Sequence, residues 1–298
     1  MRILTALVAT LTLAMAMVSC SNANPAPQAQ AKPTVLTTFT ILEDMAKNVA
    51  GDRVDVRSIT RPGAEIHDYD PTPSDIAAAS DADLILANGF GLEHWVDKLL
   101  ATSKAKRVTV TEGIEPIMID GTDQPNPHAW MSPALAKTYV DNIVAALSEL
   151  DPDGAETFRT NGEHYKAEIN STQHTLESGL AALPEEHRTL VSCEGAFSYL
   201  ARDAGLREGY IWPVNSVREV TSGDINRAAE FVRAHNVPAV FCESTVEPGP
   251  KEQLMRETGA RDGGTLYVDS LSPADGPVPT FLDLLRYDAT TIITGLNQ

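Results

Sequence analysis

From about residue 34 to the C-terminus, short apolar runs alternate with longer segments in which apolar residues return every three or four positions. TVLTTF (34–39) is short, apolar and rich in β-branched residues, which predicts a strand. LEDMAKNVA then reads as a helix and VDVRSIT as a second strand. In DPTPSDIAAAS, Thr72 stands as a helix N-cap, Pro73 at the first helical position and Asp75 where a capping box needs its acid. DADLILANG predicts a buried strand stopped by Asn88-Gly89, LEHWVDKLLAT a helix and RVTVTEG another strand. Further on, Val140, Ile143, Val144, Leu147 and Leu150 share one face of a helix.

The second half repeats this scheme without a sequence repeat. HRTLVSCE and VPAVFCE read as strands, as does TLYVD. AFSYLARDAG, PKEQLMRETG and PTFLDLLRYDATTIITGL read as helices, and so does SGDINRAAEFVRAHN, with Ser222 as its cap. Strands alternating with helices predict an α/β fold: parallel sheets flanked by helices, with right-handed crossovers. Between the halves, residues 151–182 are polar, with weak apolar spacing and no strand pattern. They predict one long, exposed connecting helix, although Gly154 and Gly162 lower the helical propensity there. The expected organisation is an N-terminal lobe over 34–150, a connecting helix over 151–182 and a C-terminal lobe over 183–298, with a ligand site in the cleft.

The first residues are of another kind. MRILTALVATLTLAMAMVSC has one early basic residue and an apolar run that ends in Ser19 before Cys20, which reads as a signal peptide over 1–19. A cysteine at that junction resembles a bacterial lipobox, with Met17 where leucine is usual. The resemblance implies a lipid on Cys20, a flexible tether over 20–33 and a protein held to a membrane outside the cytoplasm. The net charge of −18, from 41 acidic and 23 basic residues, argues against a nucleic-acid partner. With Cys20 set aside, Cys193 and Cys242 remain. Both end an apolar run and precede glutamate, so neighbouring parallel strands that end level would pair them in a disulfide; two buried free thiols are the alternative.

Parallel α/β sheets gather ligands at the carboxyl ends of their strands. His67 follows a strand in RSITRPGAEIHDYDPTPSD, and His128 lies in PNPHAWMS, where Pro125 and Pro127 stiffen the chain. Glu194 ends LVSCE and Asp269 ends LYVD. Two neutral imidazoles and two carboxylates balance a divalent cation, and with both carboxylates bidentate the count of six suits Mn²⁺ better than tetrahedral Zn²⁺. The residues alone leave Glu194 and Glu243 as competitors, because Glu243 holds the matching place after AVFC, and Asp269 has the alternative of capping a helix. The other histidines, His94, His164, His174, His187 and His235, read as solvated, and Trp95, Trp130 and Trp212 as packing residues.

GAEIHDYDPTPSD, ANGFGLEHW, NPHAWMSP, EGAFSYLA and LYVDSLS resemble, in order, segments of the metal-binding solute-binding lipoproteins of bacterial ABC transporters. That resemblance implies two α/β lobes joined by a rigid helix, with a cation between them held by His67, His128, Glu194 and Asp269. Glutamate at the third position, where zinc members commonly carry histidine, implies Mn²⁺, with Zn²⁺ or Fe²⁺ as alternatives. So does the short IMIDGTDQPNP, where zinc members often have a histidine- and acid-rich loop. It further implies a monomer that delivers metal to an integral-membrane permease and its ATPase, and no enzyme activity. A secreted metalloenzyme would need an open coordination position and a base. A surface adhesin would need neither, and would not bind metal.

Overall fold

The computed structural model describes residues 31–100, 103–214 and 220–298. The expected signal peptide and Cys20 lie outside the described residues, as does the tether up to residue 30. Among the described residues no helix is long and apolar enough to cross a membrane.

Four parallel strands, β1 (Thr34–Thr37), β2 (Asp55–Ser58), β3 (Leu84–Ala87) and β4 (Lys106–Thr109), form one sheet in the order β2-β1-β3-β4. β3 is buried along its whole length, as LILA, covered on both faces, requires. Helices α1 (Thr40–Ala50), α2 (Pro73–Asp81) and α3 (Val96–Leu100) connect these strands. α2 starts on the capping box read from the sequence: Thr72 accepts from the Asp75 amide and Asp75 accepts from the Thr72 amide. α3 is shorter than the pattern predicts, because residues 91–95 form turns. After β4 the chain makes a 3₁₀ turn, Ala129–Met131, and enters α4 (Pro133–Leu150), capped by Ser132.

The second half holds two parallel pairs. β5 (Thr189–Glu194) pairs with β6 (Arg207–Trp212), and β7 (Ala239–Glu243) with β8 (Arg261–Leu266). α6 (Ser198–Ala204) and α8 (Gly249–Thr258) are the crossovers within the pairs, and α7 (Ser222–Ala234) joins one pair to the other. Three sequence expectations are corrected here. β6 was not foreseen. The cap of α7 is Thr221, whose hydroxyl accepts from the Asp224 amide, and not Ser222. β8 ends at Leu266, so Asp269 sits in the following loop and not on the strand. α9 (Phe281–Leu296) closes the fold, capped by Thr280. The α/β architecture of parallel sheets flanked by helices is therefore the one the alternation predicts.

A long helix, α5 (Ala155–Ala181), lies in the expected stretch, but it is not the solvent-exposed element the polar sequence suggests. Phe158, Gly162, Tyr165, Ile169, Thr172, Leu176 and Leu180 form a buried seam at steps of three and four. The seam packs on α1, α4 and α9. Gly162 is required by that packing: a Cβ there would lie 2.6 Å from Val144 Cγ2. A second close approach holds the other half together. The buried ring of Phe241 fills the space beside Gly263, where an added Cβ would come within 2.5 Å of it. Gly263→Ala is expected to cost about 1–3 kcal/mol by overpacking, read as a lowered urea midpoint; an unchanged midpoint would show that the ring relaxes freely.

Candidate metal centre

All four residues singled out from the sequence converge. One ligand atom from each of His67, His128, Glu194 and Asp269 lies within 4.8 Å of every other. The two Nε2 atoms are 3.3 Å apart. His67 Nε2 stands 3.7 Å from Glu194 Oε1 and 3.8 Å from Asp269 Oδ1; His128 Nε2 stands 3.6 Å from each. Ligand atoms about 2.1–2.2 Å from a common ion at tetrahedral angles lie roughly 3.4–3.6 Å apart, so the arrangement has the dimensions of a coordination shell. His128, Glu194 and Asp269 are fully enclosed, and His67 is the one that meets a cavity of about 310 Å³, with Phe90, Gly91, His94 and Pro127 among its walls.

Each ligand is placed by its neighbours. Pro125 and Pro127 restrict the backbone around Asn126, whose Oδ1 accepts from the His128 amide (3.0 Å) and faces ring Nδ1 at 2.8 Å. With Nδ1 donating, the Nε2 lone pair points at the other three residues. Asn126 Nδ2 donates to Gly195 O at 2.6 Å, which joins the His128 loop to the residue after Glu194. Trp130 packs on the His128 ring, with centroids 5.1 Å apart, and donates from Nε1 to Val268 O, one residue before Asp269. The His67 amide donates to Glu65 Oε1, and Trp95 Nε1 donates to the Ile66 carbonyl.

The electrostatics favour a cation. Burial drives the pKa of His67 down, but Asp269, Glu65 and Asp68 outweigh it and leave it raised. Burial lowers that of His128, only partly opposed by Asp269. Burial works to raise the Asp269 pKa, yet the two imidazoles hold the carboxyl well below its usual range. An ionised Asp269 enclosed with a second carboxyl group and two imidazoles makes a donor set that a divalent cation would complement.

The competitor Glu243 is not in this group. It lies behind it, with Oε2 accepting from the Glu194 amide at 3.2 Å. Burial pushes its pKa up to about 8. A carboxyl raised from its unfolded value keeps its proton longer in the folded protein, so folding stability falls as pH rises from about 4.5 toward 8. Glu243→Gln is expected to flatten that decline in the metal-free protein, seen as urea midpoints across the interval; a parallel decline in both proteins would refute it. The cysteines pair as expected: Cys193 and Cys242 form a disulfide with Cα atoms 4.8 Å apart, directly before Glu194 and Glu243.

Among the remaining histidines, His94, His164 and His174 are exposed as anticipated. His187 and His235 are half-buried, and His235 packs edge-on against Phe231. Trp95 and Trp130 are packing residues, as expected. Sequence reasoning missed Asn126, and it considered Glu243 as a rival ligand and not as the acceptor behind Glu194. Asn126 carried a signal, a polar residue between two prolines beside a candidate ligand, whereas nothing local distinguishes Glu243 from Glu194.

An α/β fold that brings two imidazoles and two carboxylates together at strand ends defines a metal-binding protein of the solute-binding kind. Residues 35–295 match the family model of the periplasmic component A of the zinc-uptake complex, and the chain belongs to that family. It is 47% identical over 268 residues to the iron-binding protein YfeA of Yersinia pestis, covering 89% of this chain and 86% of that one. It is 35% identical over 265 residues to the manganese-binding lipoprotein MntA of Halalkalibacterium halodurans, covering 89% and 88%. Among solved structures it is similar to the Mn-bound periplasmic metal-binding protein of Candidatus Liberibacter asiaticus: 40% identity, TM-score 0.85, covering 89% of this chain and all of that one. The periplasmic zinc-binding protein TroA of Treponema pallidum superposes with a TM-score of 0.84 at 26% identity, covering 90% and 100%.

Proposed function

We propose that this protein captures a divalent transition-metal ion outside the cytoplasmic membrane and hands it to an ABC permease and its ATPase for import. The cation is its cargo, held by His67, His128, Glu194 and Asp269, and the protein is a carrier and not an enzyme. The observation that carries this reading is the enclosure of two imidazoles and two carboxylates within 4.8 Å of one another. Relatives that are substrate-binding lipoproteins of manganese and other metal ABC transporters support the transport role.

Mn²⁺ is the preferred cargo. A donor set of two nitrogens and two carboxylates suits harder ions, and it can reach six-coordination when the carboxylates bind through both oxygens. Fe²⁺ is the second reading, favoured by the 47% identity to an iron-binding protein. We further read residues 34–150 and 183–298 as two lobes connected through 151–182, with Cys20 as a lipid anchor after cleavage of 1–19. Release then requires a partner that binds an altered arrangement of the four ligands better than the closed one. Elemental analysis of protein purified from its own host tests the cargo: about one equivalent of manganese or iron is expected. Zinc alone would overturn the metal choice, and no divalent metal, with none taken up on titration, would overturn the function.

A further inference from the structure

The turn after β3 is held in an unfavourable conformation. Gly89, Phe90 and Gly91 all have positive φ, of 89°, 53° and 77°. For Phe90, with its Cβ, that is the strained left-handed region. Glu93 holds the turn. Its buried carboxylate takes three donors: Oε1 accepts from the Thr38 hydroxyl (2.7 Å) and the Asn88 amide (2.6 Å), and Oε2 from the Gly89 amide (3.1 Å).

Asn88 in turn is fixed on every side. Its carbonyl accepts from the Thr111 hydroxyl at 2.6 Å, and its Oδ1 accepts from the Tyr139 hydroxyl at 2.7 Å. Its Nδ2 donates to the carbonyl of Pro127 at 3.0 Å. Pro127 immediately precedes His128. The proline ring sets φ at 127 but leaves ψ open. The 127 carbonyl accepts from Asn88 Nδ2 and from the Ala129 amide (2.9 Å); the Asn88 bond is the one that ties ψ, and with it the plane of the peptide from which the His128 side chain departs, to another element of the fold. Asn126 holds the ring itself. The imidazole is thereby fixed twice, once through its backbone and once through Nδ1.

We propose that Glu93 and Asn88 form a strut that positions His128 for the cation: Glu93 locks Asn88, and Asn88 locks the peptide before the imidazole. Both are positioning residues, since neither is among the four that face the ion. The proposal rests on the metal-binding reading above. It gives a role to ANGFGLE, which the four-ligand centre leaves without one. Partners one bond removed from a ligand typically contribute about 10–100-fold in metal affinity.

The test compares Glu93→Gln, which keeps one acceptor oxygen but loses the one facing Gly89, with Asn88→Ser, which removes the amide. Mn²⁺ titrations are run beside the visible absorption of the Co²⁺-loaded protein, which reports ligand geometry directly. Both variants are expected to lower Mn²⁺ affinity by about 10-fold or more and to shift the Co²⁺ bands. Gly179→Ala serves as the control, because its added Cβ would clash with Ile293 between α5 and α9, helices that carry neither a strut residue nor a ligand; it lowers stability and leaves affinity and spectrum as in the wild type. Should either strut variant fail to fold, Thr38→Val removes one hydrogen bond to Glu93 and is expected to move both readouts the same way, by less. His128→Ala separates the two ideas. If it binds Mn²⁺ like the wild type, the metal-binding reading fails. If it loses Mn²⁺ while the folded strut variants keep wild-type affinity and wild-type Co²⁺ bands, the strut alone is overturned.

Discussion

His128→Ala is expected to lower Mn²⁺ affinity by more than roughly 100-fold, since even a partner one bond removed from a ligand contributes about 10–100-fold. The substitution deletes one of two neutral donors and leaves Glu194 and Asp269, each 3.6 Å from the lost Nε2, facing an ion with a gap in its shell. Glu194→Ala is expected to do at least as much harm, because it removes half of the carboxylate charge that balances a 2+ ion. His94→Ala is the informative contrast. His94 is also an imidazole lining the cavity beside His67, but it is exposed and stands outside the group of four. Its loss is expected to leave affinity at the wild-type level. Isothermal titration of the three variants decides the matter, and wild-type affinity in His128→Ala and Glu194→Ala would remove the ligand assignment.

Removing the disulfide is expected to have the largest effect on stability. Cys193 and Cys242 are 49 residues apart in sequence, and closing a loop of that size restricts the unfolded chain by about 4 kcal/mol on the chain-entropy model. The Cys193→Ser, Cys242→Ser double variant should therefore unfold at clearly lower urea than the oxidised wild type. The bridge also sits directly behind the metal centre. Glu194 follows Cys193, and its amide donates to Glu243, the residue after Cys242. Without the bridge, that bond and packing have to keep β5 and β7 level at this point, so Mn²⁺ retention should weaken along with stability. Equal urea midpoints with and without the bridge would refute the stability expectation, and equal Mn²⁺ affinities would refute the coupling.

Much of the candidate centre was legible because its chemistry is concentrated in loops at strand ends. His67 precedes a capped helix and His128 lies between prolines, and neither place offers a packing reason for an imidazole. The choice of Glu194 over Glu243 was not legible from local pattern. Both end a buried strand after a cysteine, and only the placement of β5 beside the histidine loops separates them. β6 escaped notice because REGYIW has a glycine at its centre, and that glycine is there to admit the ring of Phe231. The seam of α5 was hidden for a similar reason. Gly162 and Thr172 stand at buried positions where a sequence pattern looks for large apolar side chains, and what they contribute is close approach. The cap of α7 shifted by one residue because Thr221 and Ser222 are equally suited to the role, and only the position of Asp224 three residues on selects Thr221.

The hydrogen bond from Trp130 to Val268 ties the segment carrying one imidazole to the segment carrying Asp269. Asn126 does the same toward Gly195. Three of the four ligands are thus linked through one frame of hydrogen bonds. The loop of His67 is tied in as well, through the Gly63 amide that donates to the Ser270 hydroxyl (2.6 Å) beside Asp269, but the His67 ring is the one that borders the cavity. On the carrier reading proposed above, the side of the centre that borders open space is the His67 side, so a cation entering from the cavity would meet that imidazole before the other three ligands.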